Sequence, residues 1–163
     1  MNKKGFTLVE LLAVIAILAI LVIIALPNVL KMFNDSKKNS FMTEVRDIYK
    51  QAQTQFIADN MTTPGAKTYS NNLGTPCNPA TSALEMNGRA STGGQLKYSV
   101  SLDTNGNVTA IQVSDGSYYY IADPNASASN KTADAVPSDA SKIVIGNIGE
   151  GTTAAACTVP TAG

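Results

Sequence analysis

From Phe6 to Phe33 the chain is apolar at 23 of 28 positions, and Leu11 to Leu26 (LLAVIAILAILVIIAL) runs 16 residues without a polar side chain. Counted back to Phe6 the run is 21 residues long, broken only by Thr7 and Glu10. As a helix at about 1.5 Å per residue it spans roughly 31 Å, the thickness of a bilayer's hydrocarbon core. Lys3 and Lys4 precede it, and cations on a short N-terminal flank hold that end on the cytoplasmic side, leaving the rest of the chain outside.

Past Pro27 the pattern changes to a helical stripe. Phe41, Val45, Ile48, Tyr49, Ala52, Phe56 and Ile57 recur at amphipathic spacing with Lys, Arg, Asp and Gln between them. The interval from Asn34 to Ser40 is polar all round, exposed or bent, and Thr62-Thr63-Pro64-Gly65 stops the helix. A helix from Phe6 to about Asn60 is roughly 80 Å long. Residues 61–95 then read as a loop rich in Gly, Pro, Asn, Ser and Thr, with a short helix near Ala80 to Met86. Next the period drops to two. Leu96, Tyr98, Val100 and Leu102 alternate with polar residues, Val108, Ile111 and Val113 follow an Asn105-Gly106 turn, and Asp115-Gly116 turns into Ser117-Tyr118-Tyr119-Tyr120-Ile121. Lys142 to Ile145 is a fourth candidate strand, and residues 123–141 are loop-like in composition. The fold class is α+β, a long helix laid against an antiparallel sheet of three or four strands.

Three readings compete for the apolar run. A secretory signal peptide has a shorter core followed by a small-residue cleavage site, and Ala25-Leu26-Pro27-Asn28 supplies a poor one. A plain membrane anchor leaves Glu10 unexplained, because a carboxylate in such a run costs about 2.5 to 3.5 kcal/mol unless it finds a partner. The third reading takes Glu10 as functional. Lys3-Lys4-Gly5-Phe6-Thr7-Leu8-Val9-Glu10, followed at once by the apolar run and by Pro27, resembles the N-terminus of type IV pilins and the related pseudopilins.

That resemblance implies cleavage by a prepilin peptidase after Gly5 and N-methylation of the new terminus at Phe6. It makes Glu10 the acid at the fifth mature position and Pro27 the helix-kinking proline at the twenty-second. It implies a leader at 1–5, an assembly helix at 6–60 whose first part (6–27) spans the membrane and whose second (28–60) is amphipathic, a connecting loop at 61–95 and a sheet head at 96–163. The implied partners are copies of the same chain, the peptidase, a pilus assembly platform, minor pilins, and the membrane before assembly. The implied location is the cytoplasmic membrane for the precursor and a surface fibre for the product, serving adhesion, motility or DNA uptake. A pseudopilin of a secretion or competence system is the alternative within the family, and a solitary membrane-anchored binding module is the alternative outside it.

Glu10 fits this picture on physical grounds as well. Cleavage creates an ammonium at Phe6, four residues away on the same helix face or on a neighbouring subunit, and opposite charges attract strongly in an apolar bundle. An amine-to-Glu10 pair between subunits would fix their axial register. The alternative is that Glu10 snorkels or pairs within its own chain. Pro27 either marks the membrane exit or lets the helix melt locally when subunits pack in a fibre.

Composition narrows the rest. Twelve basic residues balance twelve acidic ones, without the basic face of a nucleic-acid binder. Loss of residues 1–5 removes Lys3 and Lys4 and leaves ten against twelve. The absence of His excludes Ser-His-Asp triads and His-ligated zinc, and two Cys are too few for a zinc site. The expectation is a structural protein without cofactor, not an enzyme. Cys77 and Cys157 both lie on the outer side of the membrane in this topology, where an oxidising compartment favours a disulfide. The bridge closes a long loop worth roughly 4 to 5 kcal/mol in the chain-entropy description; two free thiols are the alternative. Many pilins have a disulfide near the C-terminus, but Cys77 lies upstream of that usual position. Asp103, Asn105 and Asn107 are spaced like the start of a calcium loop, yet Gly106 is misplaced and the bidentate Glu is missing, so a hairpin turn is the better reading.

Overall fold

Thr7 opens the long helix and Pro64 closes it. The computed structural model describes residues 5–71, 82–91, 94–126, 129, 131–133 and 135–151. Helix α1 covers Leu8–Thr62 and includes Pro27. At its end Thr63 N–H still donates to Asp59 O at 2.9 Å, and Gly65, at φ 140°, donates its N–H to Asn60 Oδ1 at 3.0 Å. The chain divides into two compact units, Met1–Lys37 and Lys38–Gly163.

In the first unit every described residue is exposed. The polar residues Asn34 to Lys37 are helical and exposed, and Lys37 sits over the Phe33 ring at 4.8 Å.

In the second unit the stripe on α1 does what its spacing predicts. Phe41, Val45, Ile48, Tyr49, Ala52 and Phe56 are all buried. Ile57 departs from expectation and is 66% exposed, because one residue is about 100° of rotation and carries it past the edge of a stripe that ends at Phe56. The buried face meets a five-stranded antiparallel sheet, one strand more than the sequence suggests. The strands are β1 (Lys67–Ser70), β2 (Lys97–Leu102), β3 (Val108–Ser114), β4 (Tyr118–Ala122) and β5 (Gly149–Glu150), in spatial order β1-β2-β3-β4-β5. Tyr69, Tyr98, Val100, Leu102, Ile111, Val113 and Tyr120 complete one core with the helix stripe.

The two hairpin turns fall where the Asn-Gly and Asp-Gly pairs put them. Gly106 (φ 84°) and Gly116 (φ 86°) take the left-handed conformation each turn needs. The Asp115 carboxylate accepts from the backbone N–H groups of Ser117 and Tyr118, each at 2.8 Å.

Three expectations are corrected. Strand β1 lies inside the stretch read as loop, held at its far end by Asn71, whose Nδ2 donates to Leu96 O at 2.7 Å and whose Oδ1 accepts from Tyr98 N–H at 2.9 Å. The described part of the proposed helix near Ala80 to Met86 is not helical, and Ser82 instead forms a parallel bridge with Tyr69. Lys142 to Ile145 is not a strand. Short 3-10 turns occupy Ala140–Lys142 and Ile145–Asn147, and the intervening Ile143 carbonyl accepts from the Arg46 guanidinium on α1, at 2.9 Å from Nε and 2.5 Å from Nη2, in place of a neighbouring strand.

Four core tyrosines give the head a pH signature. Tyr49, Tyr69, Tyr98 and Tyr120 are each at most 1% exposed. Burial raises the pKa of every one, with the Asp59 carboxylate that accepts from Tyr69 adding to the effect there, and Tyr120 is pushed up to about 12. Below pH ~10, the ordinary tyrosine value, both folded and unfolded chains keep these protons and stability is complete. Above it the unfolded chain releases protons that the native chain retains, so stability falls by up to ~1.4 kcal/mol per pH unit for each tyrosine engaged. Alkaline titration is therefore expected to produce phenolate absorbance and loss of near-ultraviolet circular dichroism in one cooperative step above pH ~10. Gradual, independent titration of the tyrosines with the dichroism retained would contradict this.

Candidate functional site

The N-terminal segment is built around Thr7. Its side-chain oxygen accepts from Glu10 N–H at 3.3 Å, while Glu10 Oε2 accepts from Thr7 N–H at 2.9 Å and from the Thr7 hydroxyl at 2.8 Å. This is a reciprocal capping box, which satisfies backbone donors that the first helical turn leaves without partners. The Thr-x-x-Glu spacing is itself a sequence signal for this arrangement. Glu10 thus pairs within its own chain, and both bonds fall on one carboxylate oxygen. Oε1 has no partner among the described residues.

The cap sets the helix start at Leu8 and leaves the Gly5–Phe6 peptide outside the helix. Phe6 is 86% exposed, and a side chain built on Gly5 would meet nothing within 4 Å. Phe6 stands four positions before Glu10 in sequence and directly precedes Thr7, whose N–H and hydroxyl donate to Glu10 Oε2.

From Leu8 to Phe33 the large apolar side chains are open to the surroundings, including Leu11, Ile15, Leu18, Val22 and Leu26. An 18-residue window of this helix has mean hydropathy 3.2 and none of it is buried. The helix is long and apolar enough to cross a membrane. It continues through Pro27, whose missing N–H leaves the Ile23 carbonyl without its usual helical partner.

The remaining candidates divide. Asp103 is the keystone of the β2–β3 turn: Oδ1 accepts from the N–H groups of Asn105 and Asn107, and Oδ2 accepts from Asn107 Nδ2 at 3.0 Å. These bonds, the Asn107 side chain's foremost, hold the Asp103 carboxyl below its usual pKa. The three residues form a hairpin turn, and the Asn107 side chain faces Asp103 as a donor. Cys77 and Cys157 lie outside the described residues.

Two polar clusters in the second unit are not evident from sequence. Arg89 joins Glu44 on α1 (2.9 Å) to Asp115 in the β3–β4 turn (2.9 Å), and Lys38 pairs with Glu150 on β5 at 2.5 Å. Both tie the helix to the sheet.

No curated protein and no solved structure matches the chain. Residues 1–26 match the family model described as the prokaryotic N-terminal methylation motif, and the chain therefore carries the class III prepilin signal of type IV pilins and pseudopilins.

Proposed function

We propose that this chain is a structural, non-catalytic subunit of a type IV pilus. The precursor sits in the cytoplasmic membrane through the apolar part of α1. A prepilin peptidase cuts after Gly5, Phe6 becomes the methylated N-terminus, and an assembly platform draws the subunit into a fibre of identical copies with minor pilins among them. The observation that carries this reading is the junction of the methylation motif with a helix whose membrane-length apolar stretch is wholly exposed. Apolar surface of that extent needs lipid or other copies of the helix to cover it. The head beyond Lys38 has a core of its own.

Electron microscopy of sheared surface material, combined with mass spectrometry of its N-terminal peptide, tests the proposal. Long fibres built from this chain, beginning at N-methylated Phe6, are the expected result. A cell-bound monomer that keeps Gly5 would refute the filament reading, and a short fibre confined to the envelope would move the chain to the pseudopilins.

A further inference from the structure

The second unit contains a cavity of about 440 Å³ lined by Tyr120, Ala133, Ala135, Val136, Pro137, Ser138, Lys142 and Asn147. It falls within the size range of small-molecule sites, which begins at roughly 300 Å³. Its two sides differ chemically. Ala133, Ala135, Val136 and Pro137 make an apolar wall of short side chains. The polar groups are a phenol, a hydroxyl, an ammonium and an amide.

Tyr120 is 1% exposed as a residue and lines the cavity, and its hydroxyl makes no hydrogen bond among the described residues. The neighbouring Tyr49 hydroxyl, by contrast, donates to Pro137 O at 2.8 Å. Like any tyrosine, Tyr120 is protonated at neutral pH, so its hydroxyl can donate. Lys142 donates to Ser138 Oγ at 2.6 Å and forms no ion pair among the described residues, leaving two N–H bonds of its ammonium for another acceptor. Asn147 spends its Oδ1 on Val144 N–H at 3.1 Å, which leaves its amide N–H groups available.

We infer that this cavity binds an acidic monosaccharide, with its carboxylate on Lys142, a ring hydroxyl on Tyr120 and the C–H face of the ring against Ala135, Val136 and Pro137. Among the lining residues the available groups are donors, and Lys142, which also faces the nearby Asp139 carboxylate, carries the one charge; a carboxylate-bearing ligand matches this set. The apolar wall facing them suits a ring with one polar edge and one apolar face, rather than a bare inorganic anion.

Saturation-transfer NMR on the detergent-solubilised full chain tests this with D-glucuronic acid, D-glucose and methyl β-D-glucuronide. Saturable transfer from glucuronic acid is expected, with glucose at least about tenfold weaker, since a charge-assisted bond is lost. Lys142→Met should bring glucuronic acid down to the level of glucose. Tyr120→Phe, which keeps the ring in the core, should weaken it about fivefold, the scale of one neutral hydrogen bond. Equal binding of the methyl glycoside identifies the ligand as the end of a glycan, and its exclusion identifies the free acid; either fits the site. Absence of saturable binding, glucose binding as tightly as glucuronic acid, or glucuronic acid binding unchanged in both variants would overturn the inference.

Discussion

Glu10→Gln is expected to be cleaved after Gly5 and inserted in the membrane like the parent chain, yet to yield at least about tenfold less sheared filament, a deficit that needs only ~1.4 kcal/mol at the assembly step. The structure makes this substitution more informative than removal of the side chain. Glu10 Oε2 accepts two bonds from Thr7, and a Gln amide oxygen accepts the same two, since capping boxes use Gln as well as Glu. The variant therefore keeps the helix start at Leu8 and loses only the charge. Glu10→Ala loses both, with about 1 kcal/mol from the cap added to the lost ion pair. In the parent, Oε2 serves the cap and Oε1 has no partner among the described residues, so a neighbouring amine that paired with Oε1 would not compete with the cap for the same lone pairs. Filament yields are compared by quantifying sheared material, with N-terminal sequencing to confirm processing. Parental yield from Glu10→Gln together with failure of Glu10→Ala would mean that the residue acts as a cap and that its charge sets no register.

What the sequence reveals depends on how local each determinant is. The buried stripe on α1 repeats over four turns, so periodicity identifies six of its members and errs only at Ile57, where a single step of rotation decides burial. The turns at Gly106 and Gly116 are equally plain, because positive φ is a property of the residue itself. Strand β1 is different. Lys67-Thr68-Tyr69-Ser70 has one large apolar side chain and sits in loop-like composition. It becomes a strand because Tyr69 packs in the core, with its hydroxyl donating to Asp59 Oδ2 at 2.9 Å, ten residues back on α1. Nor does β5 have an apolar residue to announce it. Its Gly149 lies against the Tyr119 ring, which leaves no room for a Cβ, and Glu150 reaches Lys38. The reverse error at Lys142 to Ile145 has the same root: β-branched residues favour strands only where a partner strand is available, and here Arg46 takes the backbone acceptors. The methylation motif over residues 1–26 is legible since its signal is contiguous. The cavity was not, because its walls come from β4 and two separate loop stretches with no period in common.

Tyr98→Ala should destabilise the head by about 5 kcal/mol, and Tyr98→Phe by about 1 to 3 kcal/mol, and the gap between them separates packing from hydrogen bonding. Tyr98 is fully buried near the start of β2, opposite Val113 on β3, in the core that the α1 stripe completes. Truncation to Ala opens an aromatic-sized hole, worth about 3 to 5 kcal/mol in a tightly packed core. It also strips Leu84 N–H of its acceptor, the Tyr98 hydroxyl oxygen at 2.8 Å, in a buried position. Phenylalanine refills the hole and leaves only that donor unpaired. Since small domains are stable by about 5 to 15 kcal/mol in all, the Ala variant is expected to be largely unfolded at growth temperature, whereas the Phe variant remains folded with a lower transition. Denaturant unfolding of the full chain in detergent, followed through tyrosine dichroism, measures both. Equal losses in the two variants would assign the effect to the Leu84 bond alone, and a loss below about 2 kcal/mol for Ala would mean that the core is not organised around β2.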